Sequence, residues 1–328
     1  MQQGPRARWT RRQFLSLLAG AIACRAAAAE DVPAGHIKLI VPAPPGVSAD
    51  RIARTVAAAL AEILQTTVDI ENIPGDGGVT GINAIAAAPG DGSVLAIAPS
   101  TPIIAGKLLS RSARFSPIDD FDWLAILGTY PNAMMVSARS PAHTIDEWLE
   151  VARKASPPLV YVSGGTGSAG HLAGAFLRTE KGARLTHNAI DNMDDGYKLL
   201  DEGFVDVLFD GVPNAVTEAP PRGQRILAVT SQKRVETLPD VPSFGELWQR
   251  WFEIFVGLVA PKTLSQPAYS RLAPAVGVLL YEPVHAAKLR AAGMTFVGLS
   301  GREMRSYLDS EFLRNAKLIA TLNDEGRR

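Results

Sequence analysis

Cysteine is almost missing: the 328 residues contain one, Cys24. With no second thiol there is no disulfide framework and no thiolate metal site, and past residue 24 no cysteine nucleophile. An excess of positive charge is missing as well, since 33 Lys and Arg balance 33 Asp and Glu. Five of those cations, Arg6, Arg8, Arg11, Arg12 and Arg25, precede the first acidic residue, Glu30, so the rest of the chain is net acidic. A nucleic-acid binder would carry a basic stripe, and none is expected to partner this chain. Histidine is scarce. The five, His36, His143, His171, His187 and His285, show no ligand spacing such as H-x-x-x-H, so neither a metal nor a cofactor is expected. The apolar run from Leu17 to Ala23 is far short of the ~20 residues that span a bilayer.

What stands at the N-terminus instead reads as an export signal. Thr10-Arg11-Arg12-Gln13-Phe14-Leu15 precedes the apolar run, and Ala27-Ala28-Ala29 supplies the small residues that a signal peptidase requires. Residues 1–29 are therefore expected to be a twin-arginine signal peptide that directs the folded protein to the periplasm. A general secretory signal is the plainer alternative. A lipid anchor at Cys24 fits less well, because Ala21 is a poor residue three places before it.

From Ile37 onward, short apolar runs alternate with helical patterns, the mark of an α/β fold with largely parallel sheets. Strands are expected at Ile37–Val41, Val68–Glu71, Val94–Ala98, Met134–Val136, Val160–Val162, Leu185–Ala189, Val205–Phe209 and Ile226–Thr230. Helices are expected over Asp50–Leu64, near Gly81–Ala88, and over Ser265–Leu280, Pro283–Ala292 and Arg302 to about Leu322. In the last, Met304, Leu308, Phe312, Ala316 and Ile319 form one stripe and belong to the core.

One local pattern occurs twice. Lys38-Leu-Ile-Val-Pro-Ala-Pro-Pro45-Gly46-Val47-Ser48-Ala-Asp50 is a strand, a Gly/Ser turn and a helix start. Leu159-Val-Tyr-Val-Ser163-Gly-Gly-Thr166-Gly167-Ser168-Ala-Gly-His171 repeats it about 120 residues later. Each turn places backbone N–H groups at a helix N-terminus, where an anion is favoured. Two such turns predict two lobes that face each other across a cleft. Read as structure alone, both are strand–helix turns with capping serines.

Other chemistries find weaker support. Gly165-Thr-Gly167-Ser-Ala-Gly170 is formally G-x-G-x-x-G, with Asp191 about twenty residues on where a ribose-binding acid would stand. That keeps an exported dinucleotide-dependent oxidoreductase as an alternative. Ser168 and His171 share one helical turn, but the G-x-S-x-G of a nucleophile elbow is absent because Thr166 takes its first glycine. Asp119, Asp120 and Asp122 read as a solvated turn. Asp50 suits a helix N-terminus, either as a cap or as a shaper of a binding loop. Asp210 ends the run Val205-Asp-Val-Leu-Phe-Asp210-Gly, at the carboxyl end of a strand where cleft residues gather. An Asp–Gly turn is its plainer reading.

Taken in order, several segments resemble the Bug-type extracytoplasmic solute receptors of tripartite tricarboxylate transporters. They are Leu39-Ile-Val-Pro-Ala-Pro-Pro-Gly46-Val-Ser-Ala-Asp50, Glu71-Asn-Ile-Pro74-Gly75-Asp-Gly77-Gly78 and Ala88-Pro-Gly-Asp91-Gly92-Ser. Tyr161 to Leu172, Val207-Leu-Phe209-Asp210, Ala228-Val-Thr230-Ser231-Gln-Lys-Arg234, Leu238-Pro-Asp240-Val-Pro242 and Gly257-Leu-Val-Ala260-Pro261 complete the series.

The resemblance implies a two-lobed periplasmic-binding-protein fold of type II, with two crossovers near Tyr130–Ala133 and Phe252–Val256. Lobe 1 would comprise residues 31–131 and 255–328, and lobe 2 residues 132–254. It implies no catalysis: a small carboxylate is held by backbone N–H groups of the loops Pro45–Asp50 and Ser163–His171 and passed to membrane permease subunits by a monomeric receptor. A sensor subunit with the same clamshell is a further alternative. The expected ligand-binding set is Pro45, Gly46, Val47, Ser48, Asp50, Ser100, Thr101, Ser163, Thr166, Gly167, Ser168, His171 and Asp210, with Lys107 or Lys198 as cations should the amides not suffice. Val47 replaces a glycine of the family pattern, Ile73 stands where Arg is frequent, and Ile190-Asp191-Asn192 departs from its Pro-Tyr-Lys-Gly-like segment. These departures leave the identity of the acid open, whether di- or tricarboxylate, aromatic acid, amino acid or amide.

Overall fold

A computed structural model describes residues 35–190 and 192–325. The export signal expected over 1–29, with Cys24, lies outside the described residues, as does Asp191. Strands β1 (His36–Val41), β2 (Thr67–Asn72) and β3 (Val94–Pro99) alternate with helices α1 (Ser48–Leu64) and α2 (Val79–Ala86). A π-helical turn, Thr101–Ala105, leads into α3 (Gly106–Leu109). The 16-residue strand β4 (Phe121–Val136) follows. Then come α4 (Ile145–Lys154), β5 (Leu159–Ser163), α5 (Ala169–Lys181), β6 (Leu185–Ala189), α6 (Met193–Glu202), β7 (Val207–Gly211), α7 (Val212–Glu218), β8 (Arg225–Val229) and α8 (Phe244–Trp248). The chain closes with β9 (Glu253–Pro261), α9 (Gln266–Tyr281), α10 (Pro283–Ala291), β10 (Thr295–Leu299) and α11 (Gly301–Glu325).

Helix α1 shows why the local patterns hold. Its apolar period buries Ile52, Val56 and Leu60 against the sheet, a spacing that keeps one face inward at 3.6 residues per turn. In α11 the same logic buries Met304, Leu308 and Ile319.

The sheet is mixed, which corrects the expectation of largely parallel pairing. The pairs β1–β2, β1–β3, β5–β6 and β5–β7 are parallel. Every pairing of β4 and β9 is antiparallel. The order is β2-β1-β3-β9-β4-β7-β5-β6, with β8 and β10 also on β4. Of β4, only the end, Met134–Val136, stands among the expected strands; Thr129, Tyr130, Pro131 and Asn132 separate it from a second apolar run, Trp123–Leu127.

Strand β4 is the spine. From Phe121 to Pro131 it pairs with β9, and from Asn132 to Met135 with β7. The chain returns at Phe252, whose N–H donates to the Thr230 carbonyl (2.7 Å), and at Glu253, which faces Pro131. One half of the sheet thus rests on β1–β3, β9 and β10, the other on β5–β8, and β4 runs through both.

Candidate functional site

A cavity of about 430 Å³ opens where the two halves meet. The start of α1 reaches it with Val47, Ser48 and Ala49, and the N-cap of α5 with Ser168. Helices leave their first N–H groups without intrahelical partners, so both N-termini bring partial positive charge to the same space. Thr101 and Asp210 also line it; of the expected set, the structure thus brings Val47, Ser48, Thr101, Ser168 and Asp210 to the cavity.

The other expected residues do not line it. Four of them build the loops by one device used twice. Gly46 (φ 88°) donates its N–H to Asp50 Oδ2 at 2.9 Å, and Gly167 (φ 81°) donates its N–H to His171 Nδ1 at 3.0 Å. In each loop a glycine in the left-handed region, which other residues enter at a cost, is tied to a side chain four residues on. Asp50 also accepts from Arg54 Nε (2.8 Å), Arg54 Nη2 (3.0 Å) and Asn72 Nδ2 (2.9 Å). Burial would raise its pKa, but those hydrogen bonds and the Arg54 charge outweigh it and hold the carboxyl below the usual range. Ser163 is buried, with its Oγ 2.8 Å from His187 Nε2 and 3.2 Å from Ser168 Oγ. Pro45, Gly46 and Thr166 are exposed. Ser100 lies in a separate crevice beside Gly167 and Phe252.

Neither alternative cation reaches the cavity. Lys107 Nζ donates to the Ala113 carbonyl at 3.2 Å, and Lys198 pairs with Asp195 at 3.4 Å. The Ser168 N–H is also committed, to the Gly165 carbonyl at 3.2 Å. The glycine-rich turn is therefore closed on itself, with the Gly167 and Ser168 amides unavailable to a pyrophosphate.

His171 stacks on His187 with ring centroids 4.2 Å apart. Burial and then the Arg178 charge push His171 down to about 4; burial, then His171, then Arg178 do the same to His187. Both imidazoles are neutral at pH 7. A neutral native His that charges in the unfolded chain contributes stability above its unfolded pKa of about 6.5, and that contribution is lost as pH falls toward about 4. Protonation at His171 Nδ1 would set N–H against the Gly167 N–H. Melting temperature should therefore fall across that window, and a His171→Gln, His187→Gln double variant should show a shallower fall. Parallel pH profiles for the two proteins would contradict this role.

Contacts also tie one half to the other. Arg51 Nε donates to the Gly46 carbonyl (2.9 Å) and to Asn214 Oδ1 (3.2 Å), and its Nη2 reaches Glu218 at 3.3 Å. Asn214 in turn donates to Asp210 Oδ2 (2.6 Å), which also accepts from Tyr197 Oη (3.0 Å), while Asp210 Oδ1 accepts from the Gly211 N–H (2.7 Å). Burial raises the Asp210 pKa against those three hydrogen bonds. Val47, the β-branched departure in the first loop, takes extended angles (φ −75°, ψ 168°) and packs on the apolar cluster around Val212.

Sequence reasoning missed several lining residues. Asn132, in the middle of β4, is buried at 5% exposure and its Oδ1 has no partner among the described residues. The signal was available: a carboxamide directly before the apolar run Ala133–Val136 needs a partner that the strand cannot supply. Pro74, Gly75, Gly77, Gly78, Ile190 and Met193 also line the cavity.

A two-lobed binding protein with its cleft at the sheet junction is the class that this fold and site define. Residues 52–323 match the tripartite tricarboxylate transporter family receptor, and the chain belongs to that family. A curated relative from Pseudomonas sp. strain P51, a UPF0065 protein of the tcbD-tcbE intergenic region, is 29% identical over 298 residues, covering 90% of this chain and 88% of its own. Protein BugT of Bordetella pertussis is 25% identical over 300 residues, covering 89% and 90%. Among solved structures, an R. palustris protein with adipate superposes with TM-score 0.82 at 25% identity, over 88% of this chain and 97% of that one. The periplasmic binding protein BugD shares the fold, with TM-score 0.77 at 24% identity, over 89% and 98%. No helix among the described residues is long and apolar enough to cross a membrane.

Proposed function

We propose that this chain is a periplasmic receptor that captures a small organic acid between its lobes and delivers it to the permease subunits of a tripartite transporter, with no bond made or broken. The observation that carries this is the convergence of two helix N-termini, those of α1 and α5, on one cavity with no Lys, Arg or His among the described residues that line it. Oriented amides and helix dipoles supply the positive potential there. The family, and the adipate in the R. palustris neighbour, support the same reading.

The partner change along β4 supports a division into two lobes, residues 31–131 with 255–328 and residues 132–254. Arg51, Val47 and Ser48 on one side meet Asn214, Glu218 and Gly211 on the other, contacts that a closed clamshell makes and an open one gives up. Ligand favours closure through interactions present only there.

Mass spectrometry of small molecules released from protein purified without refolding tests the function. A stoichiometric organic acid that rebinds in calorimetry is the expected result. A co-purified dinucleotide with its ultraviolet absorbance would overturn the reading in favour of an oxidoreductase.

A further inference from the structure

We propose that Arg51 is a latch across the cleft that sets how long the receptor keeps its acid, with Asn214 and Asp210 positioning the catch; this rests on the receptor reading above. Arg51 stands in the first turn of α1, and Asn214 and Glu218 stand one turn apart on α7, on the far side of the cleft. None of the three lines the cavity. The Arg51 Nε–H is shared between the Gly46 carbonyl (2.9 Å) on its own side and Asn214 Oδ1 (3.2 Å) on the other, while Nη2 reaches Glu218 Oε1 at 3.3 Å. A guanidinium is a rigid fork of donors, so this one side chain grips both sides at once.

The catch is built in one orientation. Asn214 Nδ2 donates to Asp210 Oδ2 at 2.6 Å, and the same oxygen accepts from Tyr197 Oη at 3.0 Å. The amide nitrogen therefore faces Asp210, and Asn214 Oδ1 is left for the guanidinium, which can only donate. Asp210 lines the cavity, so the catch is anchored in the wall that meets the acid. On the near side Gly46 is held at both ends, its N–H on Asp50 and its carbonyl on Arg51. An acid enters an open cleft and leaves only when the two sides part. A contact made on closure therefore slows release and leaves capture alone. Because Arg51 stands off the cavity, it acts equally on every acid held there. A hydrogen bond from a charged group outweighs an ion pair at a partly exposed site, so Asn214 carries most of the effect and Glu218 a smaller, salt-screened share.

Stopped-flow binding to protein freed of co-purified acid tests this, with benzoate, adipate, malate, citrate and glutamate as probes. For each probe that the wild type binds, Arg51→Ala should speed release about 5- to 20-fold and change capture less than about twofold. Asn214→Ala should speed release by a similar factor, and adding Arg51→Ala to it should bring little more, because both remove the same bond. Glu218→Gln, which keeps the shape on the far side and tests the latch even where Arg51→Ala folds poorly, should release about two- to threefold faster at about 0.02 M salt and match the wild type at about 0.5 M. Release unchanged in Arg51→Ala and Glu218→Gln, or a factor that differs severalfold from one acid to the next, overturns the latch and leaves the receptor reading intact. Binding of none of the five acids to the wild type overturns both.

Discussion

Alanine at Gly211 should lower ligand affinity about 10- to 100-fold while leaving the empty protein's stability nearly unchanged. Gly211 ends β7 with φ −57° and ψ 136°, angles that alanine adopts without strain. A Cβ there would lie 2.3 Å from Ser48 Oγ and 2.9 Å from Ser48 Cβ. Ser48 belongs to the start of α1 on the other side of the cleft, so the clash arises only when the two sides meet. Overpacking of this kind costs about 1–3 kcal/mol, and each 1.4 kcal/mol is about tenfold in affinity. Tyr130 Cε2 lies 3.0 Å from the same position, so its ring must give by a few tenths of an ångström. Calorimetry with the acid recovered from the native protein, paired with thermal melting of the empty form, reads both numbers. Unchanged affinity would mean that Ser48 and Gly211 are not in contact in the bound state.

Removing the Asp50 carboxylate should act on stability instead. Asp50→Ala removes the acceptor of the Gly46 N–H and one of the two acceptors of Asn72 Nδ2, which keeps the Ala43 carbonyl, and it frees Arg54 to solvent. At about 1.5–3 kcal/mol for each hydrogen bond to a charged group, the expected loss is about 2–5 kcal/mol, and the first loop loses its tie. The native pKa of Asp50 lies below its ordinary value of 3.8. Its contribution is therefore complete above about pH 4 and disappears as pH falls through the native value. Chemical denaturation of wild type and variant at pH 7 and at pH 3 gives the comparison. The gap between them should narrow in acid. A variant within 1 kcal/mol of wild type at pH 7 would show that the loop is held by other contacts.

Much of this architecture was legible in the residues because short-range physics decides it. The apolar period of Ile52, Val56 and Leu60 placed α1, and the runs Ile37–Val41 and Leu185–Ala189 placed strands almost to the residue. The doubled strand–turn–helix pattern marked both loops that flank the cavity. What stayed hidden depends on long-range pairing. Strands β9 and β10 form on β4, and nothing local in Glu253–Pro261 or Thr295–Leu299 names that partner.

Roles within the site followed the same division. Glycine and a helix start were visible, but which N–H each loop keeps for itself was not. Gly46, Gly167 and Ser168 spend theirs internally, so proline at Ser168 would disturb the cap and the turn to Gly165 without removing a donor from the ligand. Asp50 and His171 therefore shape loops and stand off the cavity, whereas Asn132, unremarked in an apolar strand, lines it.

Backbone amide NMR during titration with the acid recovered from the native protein is the most direct test of an anion held between two helix N-termini. The largest shifts should fall on the N–H groups of Ser48, Ala49, Ala169 and Gly170, with Gly46 and Gly167 moving least because Asp50 and His171 already hold them. Shifts concentrated away from both helix starts, for instance around the outer groove of Phe176, Trp251 and Leu318, would contradict that arrangement.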